Sequence, residues 1–102
     1  MKQYTLVLDG DFVVNMNNVI LEDAKNTFWN RIKSDFALSS GELDITDYMR
    51  NGDGYELTLN ADRVEMELDG TSATDVQAKF WRQLSTTFPN VQHDNLTVAY
   101  VK

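Results

Sequence analysis

The chain has no cysteine among its 102 residues, which excludes disulfide staples, thiolate zinc sites and cysteine nucleophiles. A single histidine leaves no basis for a histidine-rich metal centre. One proline and five glycines exclude collagen-like and low-complexity architectures. Basic residues are scarce: nine Lys and Arg stand against sixteen Asp and Glu, giving a net charge of −7. Without clustered positive charge, neither bare nucleic acid nor an anionic membrane is an expected partner. Long apolar runs are missing too. The best candidate, Asp11 to Leu21, is broken by Asn15, Asn17 and Asn18, far short of the ~20 apolar residues that a bilayer requires. From Tyr4 the chain shows strand-like alternation with no apolar leader ahead of a cleavage site, so a soluble cytoplasmic protein is expected. Asn95-Leu96-Thr97 has the form of a glycosylation acceptor, which carries no weight without a secretory signal.

What is present is enough apolar material, 42% of residues, to build one core, and the length suits one domain spanning 1–102. The strongest internal signal is self-similarity. Tyr4, Leu6 and Leu8 lie over Tyr55, Leu57 and Leu59 at an offset of 51. Asp23, Phe28, Trp29, Ser34 and Phe36 lie over Asp75, Phe80, Trp81, Thr86 and Phe88 at 52, and Leu43 and Ile45 over Leu96 and Val98 at 53. Three matches in register and in order, including both tryptophans of the chain, read as two repeats covering about 3–49 and 54–101.

Each repeat reads strand, strand, helix, strand. In the first, Tyr4, Leu6 and Leu8 alternate inward, Asp9-Gly10-Asp11 has turn chemistry, and Phe12, Val14 and Met16 form a return strand. A helix is expected over about 18–38 with the stripe Ala24, Phe28, Ile32 and Phe36, stopped by Ser39-Ser40-Gly41. A third strand follows through Leu43 and Ile45, ending near Met49. In the second repeat Asn60-Ala61-Asp62 is the turn, and Val64, Met66 and Leu68 the return strand. Ser72 and Asp75 form a helix N-cap, and Val76, Phe80, Leu84 and Phe88 the stripe. Pro89 ends that helix before a last strand through Leu96, Val98 and Tyr100. Asn51-Gly52-Asp53-Gly54 should join the repeats as a hairpin. The expected fold is therefore α+β, with six mainly antiparallel strands and two amphipathic helices packed on the sheet. The aromatic stripes are core. Trp29 and Trp81, one step off each stripe, fall at the edge of the buried face, closing the core or contacting a partner.

Candidate chemistry is thin. The acids around Gly52 and Gly54 suggest a calcium loop, but placing either glycine sixth puts Asn60 or Thr58 at the twelfth position, where the motif needs Glu. His93-Asp94 pairs an imidazole with a carboxylate, yet no serine sits on a tight glycine turn to act as its nucleophile. No glycine pair has the spacing of a phosphate cradle. Neither a cofactor, a metal nor an enzymatic activity is expected.

The charge is more informative. Between Glu42 and Asp69 nine acids face only Arg50 and Arg63, so this segment carries the whole net charge of −7. Strand alternation puts Glu42, Asp44, Glu56, Glu65, Glu67 and Asp69 on one face, opposite the core. The matching face of the first repeat, Gln3, Thr5, Val7, Val13 and Asn15, is neutral. Solvation alone calls for mixed charge, and unopposed carboxylates on adjacent strands cost stability. The expected function is a small non-enzymatic protein-binding module that docks this acidic face on a basic partner surface, such as the nucleic-acid groove of another protein. Small acidic inhibitors of DNA-acting enzymes, phage anti-defence proteins among them, offer an analogy of size and charge only. The alternative is a structural or assembly protein that oligomerises through sheet edges or the neutral face. A small-ligand carrier with a pocket between helices and sheet is the weaker third reading.

Overall fold

The computed structural model describes residues 2–101. They form β1 (Lys2–Met16), α1 (Leu21–Asp35), β2 (Leu38–Asn51), β3 (Gly54–Gly70), α2 (Ala73–Thr87) and β4 (Leu96–Val101). All strand pairs are antiparallel, in the order β2-β3-β1-β4. The fold is α+β, a four-stranded antiparallel sheet with both helices packed on it, rather than the six strands expected. The helices cover one face and leave the other open.

The missing strands are accounted for at two points. Asp9-Gly10-Asp11 and Asn60-Ala61-Asp62 do not turn the chain; β1 and β3 run through them and pair with each other from Lys2↔Gly70 to Met16↔Tyr55. Phe12, Val14 and Met16 have the same parity as Tyr4, Leu6 and Leu8, so one straight strand puts all six on the face beneath the helices. Between Leu8↔Val64 and Gly10↔Ala61 the ladder slips: Asp9 opposes both Asp62 and Arg63, a β-bulge carried by β3. The bulge switches the inward set from Leu57, Leu59 and Ala61 to Val64 and Met66. Arg63 takes a positive φ of 50° there, and its N–H donates to Asp9 Oδ1 at 2.8 Å, replacing a ladder bond. Gly10 has φ +113°, and a Cβ on it would come within 2.0 Å of the Asn95 carbonyl oxygen.

The helices fill one face. Ala24, Phe28 and Ile32 of α1, followed by Phe36, and Val76, Phe80 and Leu84 of α2, followed by Phe88, bury their spacing-of-four stripes. Phe28 stacks on Phe88 at 5.2 Å between ring centroids and meets Phe12 at 6.4 Å; Phe36 meets Phe80 at 5.9 Å. Trp29 and Trp81 are half-buried, each edge-on to its neighbouring Phe at 5.0 and 5.1 Å.

The ends of the helices differ from expectation and from each other. α1 stops at Asp35, because Phe36 turns extended while staying buried. Ser39-Ser40-Gly41, expected as the stop, lies within β2, where Gly41 takes φ +90° against the Arg63 carbonyl. α2 has the expected N-cap: Ser72 Oγ accepts from the Asp75 N–H at 3.1 Å, and Asp75 Oδ2 accepts from the Thr71 N–H at 3.0 Å. That backbone hydrogen bond, with help from Lys79 at 3.4 Å, holds the Asp75 carboxyl below its ordinary pKa. At the same place α1 has Ile20, which offers no side-chain cap.

The hairpin between β2 and β3 forms as expected, closing at Asn51↔Gly54 with Gly52 at φ +60°. Strand–helix–strand thus occurs twice along the chain, and α2 begins and ends 52 residues after α1. The closing strand of each half crosses over: β2 pairs with β3, and β4 with β1.

Candidate functional site

The open face is read directly from the ladder, because residues opposite each other in antiparallel strands point the same way. Down β3 it presents Asp69, Glu67, Glu65, then, past the bulge, Asn60, Thr58 and Glu56. On β2 it presents Ser40 opposite Glu65, Glu42 opposite Asp62, Asp44 opposite Asn60, and Met49 opposite Glu56. All six expected residues, Glu42, Asp44, Glu56, Glu65, Glu67 and Asp69, therefore share this face. They form a stripe rather than a compact patch. Glu65, Glu67 and Asp69 sit at alternate positions about 7 Å apart, Glu42 and Asp44 lie on the edge strand at mid-sheet, and Glu56 lies near the hairpin.

Two of the carboxylates are held by hydroxyls. Thr5 Oγ1 donates to Glu67 Oε2 at 3.0 Å and Oε1 at 3.2 Å, and Ser40 Oγ donates to Glu65 Oε2. Such donors orient a carboxylate without cancelling its charge. Among the described residues, none of the six carboxylates lies within 4 Å of a Lys or Arg nitrogen; the ion pair seen there is Lys79–Asp75. Arg50 is spent on the other face, lying 4.9 Å over the Tyr55 ring and donating to the Val19 carbonyl at 2.7 Å.

Sequence reasoning missed four acids of this face. Asp9, Asp11 and Asp62, which have turn chemistry in the sequence, sit on it at mid-sheet, opposite Thr97, Asn60 and Glu42. The Asn60 amide donates to Asp11 Oδ1 at 2.8 Å. The first half is therefore neutral toward its ends but acidic at its centre. Asp47 follows Leu43 and Ile45 at the inward parity, but a register shift between Ile45 and Asp47 brings it opposite outward Thr58. An aspartate at a core position was itself the signal for that irregularity.

The remaining candidates are plain in the structure. The His93 ring stacks on Trp81 at 4.7 Å. Among the described residues no three His, Cys, Asp or Glu side chains converge to hold a metal, and no helix is long and apolar enough to cross a membrane. A cleft of about 370 Å³ between the end of α1 and α2 is lined by Asp35, Lys79 and Arg82 together with Phe36 and Phe80. Its mixed charges select no ligand class. No protein-family model, curated protein or solved structure matches the chain.

Proposed function

We propose that the protein is a non-enzymatic binding module whose open, acidic sheet face docks on a basic surface of a partner protein, the kind of surface that otherwise holds nucleic acid. The observation that carries this reading is the set of carboxylates standing on the uncovered face with no cationic partner among the described residues, two of them fixed by hydroxyl donors. Like charges at these spacings repel in the free protein and are relieved when positive charge arrives, so the same arrangement favours both encounter and complex. We also infer that residues 3–49 and 54–101 are two copies of one unit, reduced from the expected strand–strand–helix–strand to strand–helix–strand. The copies kept their cores and diverged on the open face, consistent with a surface that acquired a task.

Assembly through a sheet edge has its support in β2, a 14-residue strand paired on one side only. Its three register shifts and its acids Glu42, Asp44 and Asp47 are features that discourage edge pairing, which favours the docking reading.

The test is charge reversal at Glu65 and Glu67. The binding protein is captured from the native host at low salt, purified, and its Kd measured against the parent and the E65K/E67K variant at two salt concentrations. The variant should melt at or slightly above the parent temperature and bind at least about tenfold more weakly, with the difference shrinking as salt rises. Undiminished binding by the folded variant would reduce the acidic face to solvation and leave edge assembly as the better reading.

A further inference from the structure

The two half-buried tryptophans occupy equivalent places but have different surroundings. Trp81 is covered by His93, whose ring stacks on it at 4.7 Å with the planes tilted by 34°. Past the helices the repeats are offset by 53, so His93 corresponds to Ser40, whose side chain carries no ring and whose hydroxyl donates to Glu65. The neighbouring Gly41 cannot gain a side chain in its place: its φ is +90°, and a Cβ would clash with the Arg63 carbonyl oxygen. Trp29 consequently lines an open notch of about 310 Å³ at the outer edge of β2, with Leu38, Ser40, Gly41, Leu43 and Val64. Leu38 is itself exposed there.

The notch is continuous with the acidic stripe. Ser40 forms one of its lips, and the same hydroxyl donates to the Glu65 carboxylate on the open face. Glu42 follows Gly41 on the same edge strand. The lining itself holds no carboxylate, so the charge that draws a cation toward the notch is that of Glu65 and Glu42 just beyond its lip. We propose that this notch receives an arginine side chain of the basic partner, its guanidinium plane lying on Trp29 where the His93 ring lies on Trp81. Arginine fits where lysine fits less well: its planar, weakly hydrated cation stacks on an aromatic face while its N–H groups reach carboxylates. The proposal rests on the acidic-face reading, and adds to it a preference between the two basic side chains.

The two indole N–H signals of the native protein provide a direct readout, assigned with W29F and W81F. Nona-arginine and nona-lysine peptides are titrated in turn at low salt, following both signals by ¹H–¹⁵N NMR and affinity by calorimetry. Both peptides should bind, nona-arginine about 3- to 10-fold more tightly. It should move the Trp29 indole signal and leave Trp81, already capped, in place. In W29F, which keeps an aromatic ring against Phe28, the preference for arginine should fall below about twofold at an unchanged melting temperature. Equal affinities with a stationary Trp29 signal would overturn the notch while leaving the acidic face intact. Failure of both peptides to bind would overturn the notch and the acidic face together. Equal movement of Trp29 and Trp81 would show general association with indoles and would also overturn the notch.

Discussion

Phe28 and Phe80 hold the same place in the two helices, and neither has meaningful exposure. Phe28 touches Phe12, Trp29 and Phe88; Phe80 touches Phe36 and Trp81. Truncating either to alanine removes a ring from a packed core and should cost about 3–5 kcal/mol in denaturant unfolding, a large share of the stability of a domain this size. A loss below about 1 kcal/mol at either position would contradict the packing described. These residues were legible from sequence because four-residue spacing is a local signal that needs no knowledge of what the stripe packs against. Asp47 was not, because only the β2–β3 register decides which way it points. Asp75 gives a prediction in pH. Its carboxyl titrates lower in the folded chain than in the unfolded one, so its contribution to stability is present above the ordinary carboxylate range and fades as pH falls through the folded value. D75N should melt lower than the parent at pH 7, and the two melting temperatures should converge in acid. A gap that persists in strong acid would point to a loss other than the charged cap.

Among the elements, the two helices differ most at their first turns. Ile20 stands at the α1 N-cap with an extended backbone (φ −103°, ψ 131°), is mostly exposed, and has Asp23 three residues on, as Ser72 has Asp75. I20S should therefore install the missing cap, raising stability by about 0.5–1.5 kcal/mol and the melting temperature by a few degrees. No gain, with α1 starting where it did, would mean that the exposed isoleucine packs usefully. The strands show where local reading fails. Asp-Gly and Asn-Ala-Asp suit a hairpin turn and a bulge equally, since both need residues tolerant of unusual backbone angles. The choice is made by pairing partners some fifty residues away, with β1 and β3 satisfying each other along their whole lengths. The inward-facing residues were nevertheless right, because Phe12, Val14 and Met16 face inward whether the chain turns back or continues.

At the scale of the molecule, the division of labour between the faces follows from the alternation of β1 and β3, with apolar residues under the helices and, apart from Val7 and Val13, polar ones opposite. That division, and the six acids on the open face, were legible; their extension into a stripe was not, since it required β3 to be one strand of 17 residues. The crossed closing strands have a consequence for how the chain can be cut. The last pair of β4 joins Val101 to Thr5, so the ends of the described chain lie side by side on neighbouring strands, as Asn51 and Gly54 do on the other pair. Opening the chain between Gly52 and Asp53, and joining the end of β4 to the start of β1 through a short glycine-rich linker, gives the order β3-α2-β4-β1-α1-β2. This again reads strand–helix–strand twice, with β4–β1 now the hairpin and every antiparallel pairing retained. Such a circular permutant should fold with the parent's circular dichroism spectrum and unfold in a single cooperative transition. A permutant that stays unfolded would show that the β2–β3 turn is needed to bring the two halves into register.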